Sequence, residues 1–362
     1  MAKKRILLAV LFAMLTCASL WNFSQDNRSH LIRKEILFPA SETGFFKSAA
    51  AFTAYENYIF IVDNAYHRIL EYELDKDQLK FIQSFGKHGQ GPGDLELPSQ
   101  ISVADDLLAV RDQYGISLFD LKGKFVNKFR LFSASINILL SDHKLYILSI
   151  NPTKPTYIDV YSLQGKLLAS FGDKIKDFAI DYSFNKNMAP TTLEMIILDG
   201  LLLADKKYLY YLNRRFGDVV TFDFSGMEID HRNIVSFFGD EENSKYQENK
   251  RIFLDNRYDL TKNKGFPNYF IFRKAEIIQN DIYFLSDQWS LQKKKLNPFV
   301  ELRCLNKERL MKSKIYWSDI PENERFFHFV HIRDGNVIYF VLLINGEDGY
   351  KIYKLTPAQE ID

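Results

Sequence analysis

The stretch FTAYENYIFIVD, from Phe52 to Asp63, reads as a β-hairpin. Two runs rich in aromatic and β-branched residues flank a polar break at Glu56-Asn57, and such residues favour strands. Five further copies of the pattern follow. They are ISVADDLLAVRD ending at Asp112, NILLSDHKLYILS ending at Ser149, LLLADKKYLYYLN ending at Asn213, AEIIQNDIYFLSD ending at Asp287 and FVHIRDGNVIYFV ending at Val341. Their breaks fall at Asp105-Asp106, Asp142-His143, Asp205-Lys206-Lys207, Asn280-Asp281 and Asp334-Gly335-Asn336. Asp, Asn and Gly tolerate the positive φ that a tight hairpin turn demands.

Most copies are followed by a third strand, a second turn and a fourth strand. Ile116 to Leu121 leads through Lys122-Gly123 to Lys124–Leu131. Tyr157 to Leu163 leads through Gln164-Gly165 to Lys166–Phe171. Val219 to Phe224 leads through Ser225-Gly226 to Met227–Ile234. Four antiparallel strands per repeat is the unit of a β-propeller blade. The sequence therefore predicts an all-β fold: a six-bladed β-propeller of four-stranded antiparallel blades over residues 34–357, closed by an N-terminal strand. The last copy has a third strand, Tyr350 to Leu355, and then ends. Glu35 to Phe38 is the segment expected to supply its fourth strand and so remove open edges.

The breaks are spaced by 49, 36, 63, 75 and 54 residues. The long intervals mark insertions at Asp173–Thr192 and Phe237–Asn268. The run DEENSKYQENKR in the second reads as a solvated loop or short surface helix. A lid over one mouth, or a seventh blade, is the alternative there. Composition agrees with a single ring. Of 362 residues, 46% are hydrophobic and 15% aromatic, enough for a packed core. Lys plus Arg is 47 against 46 for Asp plus Glu, and that balance argues against a nucleic-acid partner.

Lys3, Lys4 and Arg5 precede an uncharged run from Ile6 to Leu20. This is the layout of a secretory signal, and the run is shorter than a spanning helix needs. Residues 1–20 are read as that signal, 21–33 as a lead-in and 358–362 as a tail. Two alternatives stand beside it: Cys17 as the lipidated cysteine of a lipoprotein signal, or an uncleaved anchor with Trp21 and Phe23 at the interface. All three put the domain outside the cytoplasm: periplasmic, at the cell surface or membrane-anchored. Cys17 and Cys304 are the two cysteines, so removal of the signal leaves no internal disulfide.

Val62 to Tyr72 reads VDNAYHRILEY, and Phe85 to Pro98 reads FGKHGQGPGDLELP. These segments resemble the NHL repeat: Asp63, His67, Arg68 and Ile69 fall on its first part, and Phe85, Gly86, Gly89, Gly93 and Pro98 on its second. Leu95 stands where the family has Phe. The likeness is motif-specific over residues 58–112 and extends in outline along the ring. It implies kinship with exported six-bladed propellers of unassigned function. The glycine-rich loop leads into another strand, Ile101 to Ala104, rather than a helix, so it reads as a blade connection and not a phosphate cradle. Asp63 and Arg68 read as a turn cap and an ion pair within the blade.

Catalytic chemistry in such a ring needs His, Asp or Glu from several inner strands at the axis. The inner strands here offer Glu276 and His331. His328 is three residues from His331, so on a strand the two point to opposite faces. Of the remaining five histidines, His67, His88, His143 and His231 are scattered one per segment. Trp289, Trp317, Tyr66 and Tyr114 read as packing between blades, with a ligand surface as the alternative. The expectation is an exported, monomeric, non-catalytic propeller with no cofactor, binding a protein, peptide or glycan at one mouth. The competing expectation is a hydrolase or lyase with Ca or Zn held by Glu276 and His331.

Overall fold

The computed structural model describes residues 28–36, 46–75, 78–131, 133–178, 189–254, 269–279, 281–287, 289–290, 294–296, 299–306, 311–319, 325–334, 337–346 and 349–357. Cys17, the signal segment and the 358–362 tail lie outside them. No helix among the described residues is long and apolar enough to cross a membrane.

The chain begins with β1 (Arg28–Ile36), which is used last in the assembly. Blade I is β2 (Ala49–Tyr55), β3 (Tyr58–Asp63), β4 (Arg68–Asp75) and β5 (Gln78–Phe85). Blade II is β6 (Gln100–Ala104), β7 (Leu107–Arg111), β8 (Gly115–Asp120) and β9 (Phe125–Arg130). Blade III is β10 (Ala134–Ser141), β11 (Lys144–Ile150), β12 (Thr156–Ser162) and β13 (Leu167–Asp173). Blade IV is β14 (Gly200–Ala204), β15 (Tyr208–Asn213), β16 (Asp218–Asp223) and β17 (Glu228–Asn233). Each is a four-stranded antiparallel sheet with its strands in chain order.

The remaining strands form one eight-stranded sheet. They are β18 (Phe272–Ile278), β19 (Asp281–Ser286), β22 (Phe299–Asn306), β23 (Met311–Asp319), β24 (Arg325–Asp334), β25 (Val337–Gly346) and β26 (Gly349–Pro357), joined by β1. A small hairpin of β20 (Trp289–Ser290) and β21 (Lys295–Leu296) interrupts this part of the chain. The expected six separate blades are therefore corrected: the structure has five, four of four strands and a fifth of double width.

The cause is β1. Its antiparallel pairing with β26 places Glu35 opposite Tyr353 and Ile36 opposite Ile352. Its leading residues also run parallel to β23, Arg28 opposite Ile315 and His30 opposite Trp317. One strand thus fuses two runs that the sequence presents as separate. The two edge strands of this sheet, β18 and β24, lie beside one another, so the double blade folds back on itself. β18 neighbours β14, and β24 neighbours β2.

The core lies between blades. Phe60 and Val62 of blade I pack with Leu108 and Val110 of blade II. Ala109 and Leu118 meet Ile138 and Ile147 of blade III. Tyr146 and Ile158 meet Leu209 and Phe222 of blade IV. Leu212 and Val219 meet Phe272 and Phe284 of blade V. Phe52 and Leu70 of blade I meet Val330, Ile332 and Leu343 of blade V, which closes the circle. A blade buries its faces only against its neighbours, so the ring is the unit of stability.

A repeated contact locks adjacent blades at their outer edges. Phe85, Phe129 and Phe171, each on the outermost strand of one blade, lie against the second turn of the next. A Cβ on Gly123, Gly165 or Gly226 would lie 2.5–2.6 Å from the facing phenylalanine ring. The same rings pack on Phe119 at 5.2 Å, Tyr161 at 6.1 Å and Phe222 at 5.1 Å. These glycines have φ of +75°, +83° and +91°, so the turn excludes a side chain on two counts.

The hairpin breaks behave as their residue types require. Asp105 and Asp106 have φ of +53° and +60°, and Asp142 and His143 have +51° and +52°. Both insertions carry helices. α1 (Lys174–Phe178) and α2 (Pro190–Ile197) follow blade III, and α3 (Asp240–Leu254) follows blade IV. The described part of the second insertion is thus helical rather than a further blade. α3 is not solvated all round as its charge run suggested. Glu242, Lys245 and Asn249 form one buried face: Lys245 Nζ lies 3.8 Å from Asp287, Glu242 lies 3.4 Å from Arg303, and Asn249 donates to the Arg215 and Tyr269 carbonyls. Ion pairs at Glu242 and Lys245 and the two hydrogen bonds donated by Asn249 offset the cost of burying this polar stripe.

Candidate functional site

One mouth of the ring is built by the starts of the inner strands and the ends of their hairpin partners. A carboxylate or amide recurs there. Asp63 Oδ1 accepts from the Ser48 amide at 3.1 Å, and Asp63 Oδ2 lies 3.4 Å from Arg68. Asp112 accepts from the Tyr114 and Gly115 amides at 2.9 Å and from Lys128 at 2.8 Å. Asn213 accepts from the Arg215 and Phe216 amides. Asp112 and Asn213 cap the loop after the second strand, where backbone amides would otherwise lack partners, whereas Asp63 holds the amides that lead into β2. Asp63 thus pairs with Arg68 within blade I, but the turn it was expected to cap, Asn64–Tyr66, takes no hydrogen bond from its side chain.

The glycine-rich loop of blade I sits at the same end. Gly86, Gly89 and Gly93 have φ of +81°, +151° and +79°. Asp94 Oδ2 accepts from the Gly91 amide at 3.0 Å, and the Asn64 amide side chain donates to the Pro98 carbonyl at 3.2 Å. Leu95 is fully buried between blades I and II. The loop closes on itself, as a blade connection does.

Sequence reasoning missed the most heavily charged part of this mouth. Arg214, Arg215 and Arg273 surround one ring, Phe270, with guanidinium carbons 5.0, 4.6 and 4.3 Å from its centroid. Arg215 is anchored to Asp199 at 2.7 Å, and Arg214 pairs with the same carboxylate. Arg273 pairs with Asp287 at 2.6 Å. Arg215 is nearly buried, and burial lowers its pKa against the opposing pull of Asp199. Arg214 and Arg273 keep 25% and 41% of their side chains exposed, so the group presents cations outward. The signal lay in Arg214-Arg215 and Phe270–Lys274, which lie well apart in the chain and meet through the blade IV–V contact.

The inner strands carry polar links between blades. Gln100 donates to the Ile136 carbonyl at 2.7 Å, the Leu140 amide donates to Ser102 Oγ at 2.9 Å, and the Leu202 amide donates to Asn137 at 2.8 Å. His328 is held in the same way against the Ala50 backbone, and burial pushes its pKa down to about 3, with Lys274 and Arg214 adding to the shift. Burial thus keeps it neutral. Glu276 and His331, the residues predicted for a channel metal, do come together: His331 Nδ1 lies 3.7 Å from Glu276 Oε2. Among the described residues no third His, Cys, Asp or Glu completes a three-donor group with them.

Two other clusters do bring three donors together, His67/His88/Glu96 and Asp177/Glu228/His231. In the first the donors are engaged with one another or with backbone. His88 Nε2 is 2.6 Å from Glu96, the Leu97 amide donates to His67 Nδ1 at 3.1 Å, and the two imidazoles stack edge to face at 4.6 Å. The second lies at the outer rim. Of the aromatic residues considered as a ligand surface, Tyr66 is 54% exposed beneath Arg68, and Tyr114 takes a hydrogen bond from Gln90. Trp289 is partly buried, and the Trp317 side chain is outside the described residues.

The fold and its inter-blade core define a β-propeller. Solved structures agree on this. The chain is similar to a Bacteroides fragilis protein described as exported, with 13% identity, 92% of this chain and 99% of that one covered, and a TM-score of 0.55. It is also similar to the WD40 domain of Pan2 from Neurospora crassa, with 9% identity, 92% and 98% coverage, and a TM-score of 0.51. At such identities the likeness concerns the fold alone. No family model matches the chain, so the NHL likeness remains with the quoted motifs. A search of curated proteins finds no match.

Proposed function

We propose that this chain is an exported, non-catalytic β-propeller that binds a protein, peptide or glycan at one mouth of its ring, and that the partner presents acidic groups there. The observation that carries the reading is the Arg214/Arg215/Arg273 group around Phe270. Three guanidiniums on one ring, with two of them solvent-facing, form a fork-rich surface suited to carboxylate or sulfate groups. Export rests on the basic residues Lys3, Lys4 and Arg5 followed by the apolar run to Leu20. Cys17 offers a membrane tether if that segment is processed as a lipoprotein signal.

The test is a binding screen of the purified domain over arrays of peptides and glycans, each graded by charge. Retention should rise with ligand acidity and fall in Arg214→Ala/Arg273→Ala. The double variant should fold, because Asp199 keeps Arg215 and Asp287 keeps Lys245. Retention indifferent to ligand charge, or unchanged in the double variant, would reject the acidic-partner reading.

A further inference from the structure

The rim cluster Asp177/Glu228/His231 joins α1 to β17, across the contact between blades III and IV. One ligand atom from each residue lies within 4.8 Å of the others. Asp177 is 8% exposed. Its Oδ2 accepts from Tyr157 Oη at 2.8 Å and from the Asp173 amide at 3.2 Å. Its Oδ1 is buried and has no hydrogen-bond partner among the described residues. A buried carboxylate oxygen left without a partner is costly unless something else satisfies it.

The surroundings supply the rest of an ion site. His231 Nε2 lies 3.7 Å from Asp218. A carboxylate on one ring nitrogen is the usual support for a ligating histidine. Glu228 is at the solvent side and is at present held by Lys176 Nζ at 2.7 Å. Lys176 is 63% exposed, so an incoming ion displaces a loosely held surface cation. From this geometry we infer that Asp177, Glu228 and His231 form a structural site for a divalent transition ion that clamps the first insertion to blade IV.

Two carboxylates and one imidazole suit Zn or Mn better than Ca, whose sites are built from oxygen. The ion neutralises Asp177 and Glu228 together. This differs from the channel pair Glu276 and His331 in place and in role, since it lies away from the axis and serves the fold.

The experiment uses the untagged domain, stripped of metal with a chelator. Zn and Mn are titrated calorimetrically, with Ca as the contrast, and the melting temperature is followed in parallel. The expected result is one ion per chain with a raised melting temperature. Affinity should fall at least tenfold in Glu228→Gln and in His231→Ala, and about tenfold in Asp218→Asn. It should rise in Lys176→Ala. Glu228 and Lys176 reach solvent, so their variants fold whatever the fate of Asp177 substitutions. No binding by the wild-type chain, or binding unaltered in both Glu228→Gln and His231→Ala, would overturn the assignment.

Discussion

Gly165→Ala tests the contact that locks one blade to the next. Gly165 lies in the turn between β12 and β13 at φ +83°. A methyl group there would meet Phe129 Cγ at 2.5 Å and Phe129 Cβ at 2.6 Å. Two costs add. Alanine in the left-handed region costs about 1–2 kcal/mol. Forcing Phe129 aside costs about 1–3 kcal/mol more, because the clash is with the root of the side chain and not its flexible end. The sum is about 2–5 kcal/mol, read as a shift in the urea midpoint at constant slope. A double-mutant cycle separates the terms. In a Phe129→Gly background, which removes the Cβ as well as the ring, the steric term vanishes, and Gly165→Ala should then cost only about 1–2 kcal/mol. Equal costs in both backgrounds would show that Phe129 does not press on this turn, and the account of blade locking would fail with it. Gly123 with Phe85 and Gly226 with Phe171 should behave alike.

Other outcomes follow from single features. Lys174 and Glu194 are 1% and 0% exposed and 2.6 Å apart, so Lys174→Met should cost about 3–5 kcal/mol in chemical denaturation, while Lys174→Met/Glu194→Leu should recover most of it. His328 has a folded-state pKa of about 3, set by burial and by Lys274 and Arg214. Since its folded pKa lies below the unfolded value of about 6.5, its share of stability is full above pH 6.5 and declines as pH falls toward 3. NMR of the imidazole should therefore show no titration between pH 8 and 5, and a midpoint near 6.5 would contradict the placement. Cys17→Ser should release the protein from membranes if Cys17 is lipidated; unchanged retention would reject the tether.

The residues that dictate local geometry were the legible ones. Asp105-Asp106 and Asp142-His143 announced their turns, because few other pairs accept two successive positive φ angles. The need for a partner strand on Tyr350–Leu355 pointed to Glu35 to Phe38; Glu35 and Ile36 pair with β26, and Leu37 and Phe38 lie outside the described residues. The reach of the same strand to β23 was not legible. That parallel pairing depends on where Arg28–His30 lies after ring closure, which no local pattern encodes. The buried face of α3 was hidden for a related reason. Glu242, Lys245 and Asn249 look solvated until Arg303, Asp287 and the Arg215 carbonyl are brought to them by the ring. The arginine group shows the same limit: Arg214 and Arg215 follow β15, Arg273 lies on β18 and Phe270 just before it, and they meet only through the blade IV–V contact. Glu276 and His331 were legible as neighbours because both fall on inner strands, and among the described residues no third donor joins them.

The most direct test of the central claim is a binding titration of the most strongly retained acidic array ligand, carried out at rising salt. The account predicts affinity that falls steadily with ionic strength and at least tenfold in Arg214→Ala/Arg273→Ala, while His331→Ala binds like the wild type. Binding that ignores salt and both arginines, or that is lost on substituting His331, would place the functional site elsewhere in the ring.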